Sequence, residues 1–149
     1  MTASRRRFHS ASQLPASPSR RRFLLAGAAL SVVSLAGCGD DGPALPGYAN
    51  TDPIRRAYRT AHANVALFEQ LPCYCGCGAS IGHQHLRHCF LDDDGGWHEH
   101  AAACSVCIEE ALDAAFLLAE GATAARIRAT IDATYTGLAA PTDTPPVTG

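Results

Sequence analysis

Pro72-Cys73-Tyr74-Cys75-Gly76-Cys77-Gly78 places three thiols at alternate positions in seven residues, with a proline before them and glycines among and after them. Packing alone does not ask for this. An apolar core takes isolated cysteines, whereas x-Cys-x-Cys-x-Cys spacing brings sulfurs close enough to act as metal ligands, redox partners or disulfide halves. The stretch also divides the chain: Pro72 stops a preceding helix, and the glycines favour a turn immediately after it. Cys89, Cys104 and Cys107 come next, with His83, His85, His88, His98 and His100 among them. Nowhere else in the chain is chemistry so concentrated.

Upstream, Asp52-Pro53 reads as a helix start, an N-cap acid followed by proline in the first turn. Ile54, Tyr58, Ala61, Val65 and Phe68 recur at steps of four and three, one face of an amphipathic helix that runs to Pro72. His62 lies off that stripe and reads as solvated. Downstream, Ser80 caps a shorter helix from Ile81 to about Leu91, placing His85 and Cys89 on one face. His83 and His88 read as an exposed polar face, and His85 is balanced between that and a ligand. Asp92-Asp93-Asp94-Gly95-Gly96 is a solvated turn that lacks the alternation and downstream glutamate of a calcium loop.

A third helix, from Ala101 to about Glu120, carries Cys104, Cys107, Ile108, Ala111, Leu112, Ala115 and Leu118 on one side, and Gly121 ends it. Cys104 and Cys107 then share a face near the helix N-terminus, where free N–H groups favour thiolates, and His100 lies one turn before. A fourth helix, capped near Thr123, aligns Ile127, Ile131, Tyr135 and Leu138. Residues 139–149, with three prolines and three threonines, read as a disordered tail. The fold class expected is all-α, a small bundle of about four helices, one of them short. A core of about 90 residues is thin enough to need cross-linking by a cysteine-rich metal site or by disulfides.

The chain has 149 residues, the length of one small domain. Its charge is split. Arg5, Arg6, Arg7, Arg20, Arg21 and Arg22 precede every acid, and from Cys38 onward six arginines face fourteen acids with no lysine, a formal charge of −8. Such a surface repels phosphate backbones, which argues against nucleic acid as a partner.

Ser19-Arg20-Arg21-Arg22-Phe23-Leu24-Leu25 matches the Ser-Arg-Arg-x-Phe-Leu pattern of twin-arginine export signals. The apolar run from Phe23 to Ala36 is shorter than the roughly 20 residues of a membrane-spanning helix and suits a cleavable signal. Leu35-Ala36-Gly37-Cys38 has the form of a lipoprotein cleavage box. The expected organisation is a signal over 1–37, a flexible tether lipidated on Cys38 over 38–51, a helical Cys/His-rich domain over 52–138 and the tail. The acyl chains would hold the protein on the outer, extracytoplasmic face of the cell membrane. Setting Cys38 aside leaves six cysteines.

Pro72 to Cys77, Cys89-Phe90, Trp97-x-x-His100-x-x-x-Cys104-x-x-Cys107 and Glu120-Gly121…Ile127-Arg128…Ile131-Asp132…Tyr135 together resemble the bacterial PCYCGC-motif lipoproteins. The resemblance spans about residues 53–138. It implies an exported lipoprotein and a joint role for the six cysteines, and it implies no substrate.

Three functions compete. The leading one is metal binding without catalysis, with Cys73, Cys75, Cys77, Cys89, Cys104 and Cys107 as thiolates and His85 and His100 as imidazoles. Such donors suit Cu(I) or zinc, and the cysteine count also suffices for an iron–sulfur cluster. Export in the folded state favours thiolates loaded with metal before they cross. The second is a module stapled by three disulfides, each contributing about 2 to 4 kcal/mol, which would bind a protein partner in the cell envelope. The third is a thiol–disulfide oxidoreductase using Cys104 and Cys107, whose Cys-x-x-Cys lacks the βαβ surroundings of thioredoxin-like proteins.

Overall fold

The computed structural model describes residues 42–147. The expected signal segment and the lipidation site Cys38 lie outside them. Among the described residues the protein is all-α, with five helices, two 3₁₀ turns and no strand. None of these helices is long and apolar enough to cross a membrane.

Helix α1 (Asp52–Ala63) begins after Thr51, with Pro53 in its first turn, and buries Ala57, Tyr58 and Ala61. It does not run on to Pro72. The Asn64 side-chain amide donates to Thr60 O at 2.9 Å, taking the carbonyl that the next helical N–H would use. The backbone turns there, and a single turn, α2 (Val65–Phe68), resumes the apolar stripe by burying Phe68.

The helix expected over 81–91 is absent. One turn, α3 (Cys77–Ile81), starts inside the cysteine stretch and ends at Gly82, whose φ of 78° makes it a left-handed cap. The chain then runs to a 3₁₀ turn, Leu86–Cys89. That tighter winding stacks residues three apart, so Leu86 and Cys89 both reach the core.

A second 3₁₀ turn, His100–Ala103, precedes α4 (Ser105–Ala119), which therefore starts four residues later than expected, with Cys104 as its extended N-cap residue. The buried side of α4 includes Cys107, Ile108, Glu110, Ala111 and Ala114, so an acid enters the core. Helix α5 (Ala124–Tyr135) is capped by Thr123, whose Oγ1 accepts the Arg126 N–H. It buries Ile127, Ile131 and Tyr135, whereas Leu138, expected on the same side, lies beyond the helix end and is exposed. Helix α4 packs against α1 and α5.

Tyr58 holds the aromatic centre. Its ring meets Phe90 edge-on at 5.0 Å and Trp97 at 5.8 Å, and its hydroxyl donates to His98 O and accepts the Ala102 N–H.

Two segments read as loose are packed. In the expected tether, Ala49 is buried, Leu45 and Tyr48 pack on the core, and Ala44 O accepts the Trp97 Nε1–H. In the expected tail, Thr142 Oγ1 accepts the Cys73 N–H at 2.9 Å while the Thr142 N–H donates to Cys73 O. Thr144 donates to Gln84 O, and Arg128 bridges Gln70 O and Pro145 O. The cysteine turn has backbone groups that no helix satisfies, and the C-terminal segment supplies their partners.

Candidate metal centre

Alternation sends Cys73 and Cys75 one way and Tyr74 the other, and the left-handed Gly76 (φ 85°) turns the chain into α3, whose first residue, Cys77, joins the same cluster. The Tyr74 hydroxyl donates to Asp132 of α5 at 2.8 Å and its N–H donates to Glu110 Oε1 of α4 at 2.7 Å. Pinned on both sides, the turn presents its thiols to Cys89 on the first 3₁₀ turn and to Cys107 in the first turn of α4. Cys73 Sγ lies 3.3 Å from Cys75 Sγ and 3.6 Å from Cys107 Sγ, and Cys77 Sγ lies 3.7 Å from Cys89 Sγ. All six cysteines of the described residues are free thiols.

Two imidazoles complete the cluster. His100 Nε2 is 3.5 Å from Cys75 Sγ, and His83 Nδ1 is 3.5 Å from Cys89 Sγ. Ligand atoms converge in three overlapping sets, each within 4.8 Å: Cys73, Cys75, Cys77, Cys89; Cys75, Cys89, His100, Cys107; and Cys77, His83, Cys89, His100. The donor set fits a metal ion. Four sulfurs at about 2.3 Å around a tetrahedral zinc stand about 3.8 Å apart, close to the separations already present.

Of the residues read from sequence, Cys73, Cys75, Cys77, Cys89, Cys107 and His100 come together. Cys104 and His85 belong to none of the three sets. Because α4 starts only after Cys104, an extended N-cap residue, that partly buried thiol does not share a helical face with Cys107. His85 precedes the 3₁₀ turn, its ring 3.9 Å from that of His88. His83, read as exposed, is instead a member of the cluster. A signal for it exists: Cys77, His83 and Cys89 are evenly spaced at six residues. Glu110 was likewise legible, three residues after Cys107 and so on its face.

The electrostatics arise from crowding. Hydrogen bonds from the Cys107 and Cys73 thiols hold Cys75 well below the usual thiol range, while Cys73, Cys77 and Cys89 are pushed up. Cys107 is pushed up: its hydrogen bond with Cys73 favours the thiolate, but the hydrogen bond with Cys75 and burial outweigh it, the opposite of the lowering expected at a helix N-terminus. The crowding thus favours a thiolate on partly exposed Cys75 over its buried neighbours, whose protons a bound cation would displace. Burial, then His100 and His98, lower His83 to about 4, so its imidazole is in the neutral, ligating form. Burial pushes Glu110 up to about 8 against the Tyr74 hydrogen bond, and its Oε2 has no hydrogen-bond partner.

The family model described as "Protein of unknown function with PCYCGC motif" matches residues 33–147. No curated protein and no solved structure matches the chain.

Proposed function

We propose that this chain, which belongs to the PCYCGC-motif family, is a metal-handling lipoprotein that holds a thiophilic cation, Cu(I) or zinc, at the outer face of the cell membrane. The observation that carries the reading is the convergence of five free thiols and two imidazoles in overlapping sets, with sulfur spacings of 3.3 to 3.7 Å. Thiolate and imidazole donors suit both ions. Residues 72–78 supply three of the donors, and α4, the two 3₁₀ turns and His83 supply the rest.

Export and lipid on Cys38 rest on the sequence signals, the twin-arginine pattern and the Leu35–Cys38 box, and a receiving partner in the envelope follows only from the metal-handling role. The three-bridge module has less support, because Cys104 stands outside the cluster and leaves an odd number of thiols within it. The same separation weakens a redox pair of Cys104 and Cys107.

The test is a native intact mass of the mature protein, isolated anaerobically from its exported location. Added mass of copper or zinc, absent after Cys75→Ser and Cys89→Ser, is the expected result. A mass lower than the reduced chain by two hydrogens per bridge overturns the reading in favour of the stapled module.

A further inference from the structure

We propose that the cluster is a two-ion centre with unlike halves, one ion held mainly by thiolates and the other by His83 and His100, with the Cys77 and Cys89 thiolates shared between them. This rests on the metal-binding reading above and goes beyond it to the number and kind of sites.

The geometry of the donor sets carries the inference. Seven donors converge, and one tetrahedral ion takes four. The set Cys73, Cys75, Cys77, Cys89 and the set Cys77, His83, Cys89, His100 have only Cys77 and Cys89 in common. Each is complete for one ion, and the two common sulfurs lie 3.7 Å apart, as two ligands of one ion do. A thiolate has lone pairs for two metals, so sharing needs no further donor. Cys107, 3.6 Å from Cys73, sits beside the thiolate half.

Charge points the same way. Cys73, Cys77, Cys89 and Cys107 are buried. Four thiolates around a single divalent ion leave an excess of two negative charges in the core, and a second divalent ion cancels it. On loading, each ligating cysteine that still carries its thiol proton gives it to solvent, and each imidazole binds through a nitrogen lone pair.

Each half also reaches the surface on one flank. His83 and His100 line separate surface clefts, and Cys75 is the partly exposed ligand of the thiolate half.

The experiment saturates the reduced full chain anaerobically with Zn(II), counts ions by native mass spectrometry, and repeats the loading with Co(II) for its sulfur-to-cobalt absorption. Two ions per chain are expected for the wild type. His83→Gln with His100→Gln should retain one, with the thiolate-rich cobalt spectrum kept. The single variants at these partly exposed positions give the same reading if the double variant does not fold. One ion at saturation, more than two, or two in the double variant overturns the two-half centre while leaving metal binding intact. No ion bound, with Cu(I) tried as well, removes the metal-binding reading itself.

Discussion

Glu110 Oε1 accepts the Tyr74 N–H at 2.7 Å, with the whole carboxyl buried. One turn earlier on α4, Cys107 Sγ lies 3.6 Å from Cys73 Sγ. A single helix therefore both fixes the backbone of the cysteine turn and adds a thiol to the cluster that turn presents.

That carboxyl makes stability depend on pH. It is pushed up to about 8 from 4.5, so between these values the folded chain keeps a proton that the unfolded chain has lost. Its contribution is full below the lower value and is lost as pH rises through the upper one. Glu110→Gln cannot ionise. In urea unfolding of the reduced, metal-free protein, the variant should gain on wild type as pH rises through that window, by up to about 1.4 kcal/mol per unit. A gap that does not change with pH removes the buried, protonated carboxyl.

Cys89 belongs to all three donor sets and Cys104 to none. Partners that merely orient a ligand cost about 10 to 100-fold in affinity when removed, so Cys89→Ser should lose at least that much in a competition assay with a chromophoric chelator. Cys104→Ala should bind as wild type does. Equal losses in the two variants contradict the assignment.

Thr142 satisfies the buried N–H of Cys73. Thr142→Val keeps the shape and removes the acceptor, at a cost of about 1 to 3 kcal/mol. Thermal unfolding should register it as a drop of at least about 4 °C. An unchanged midpoint shows that the C-terminal segment does not hold the turn.

The hydroxyl of Tyr58 joins His98 O to the Ala102 N–H, tying α1 to the segment that carries His100. Tyr58→Phe leaves both backbone groups without this partner and should cost about 1 to 3 kcal/mol in chemical denaturation. Recovery of full stability would mean that the ring contacts alone hold this junction.

Cys38 is the proposed lipid attachment site. Cys38→Ser should move the protein from the membrane fraction to the soluble exported fraction, because the remaining chain offers no acyl chains to the bilayer. Retention in the membrane fraction counts against lipidation at this residue.

The class of fold and most of the cluster were legible in the chain before any packing was known. Proline at 53, the Thr123 cap and the steps of three and four in α1 and α5 are local signals, set by a few neighbouring residues, and the helices they mark are present, although the first ends at Ala63 and not at Pro72. Alternation from Cys73 to Cys75 made two converging thiols a matter of covalent geometry, and the left-handed turn at Gly76 added Cys77. Long-range packing settled the rest. Whether Gly82 continues a helix or ends it depends on Leu86 and Cys89 both reaching the core, which local propensity does not encode. The stop at Gly82 brings His83 into the cluster, and the break at Cys104 leaves that thiol out. The partners of the Cys73 backbone come from Thr142, 69 residues away. A proline- and threonine-rich segment looks unstructured until the unpaired backbone it satisfies is in view. Helix periodicity placed Cys107 and Glu110 on one face. Only packing against the cysteine turn put that face, with its acid, in the interior.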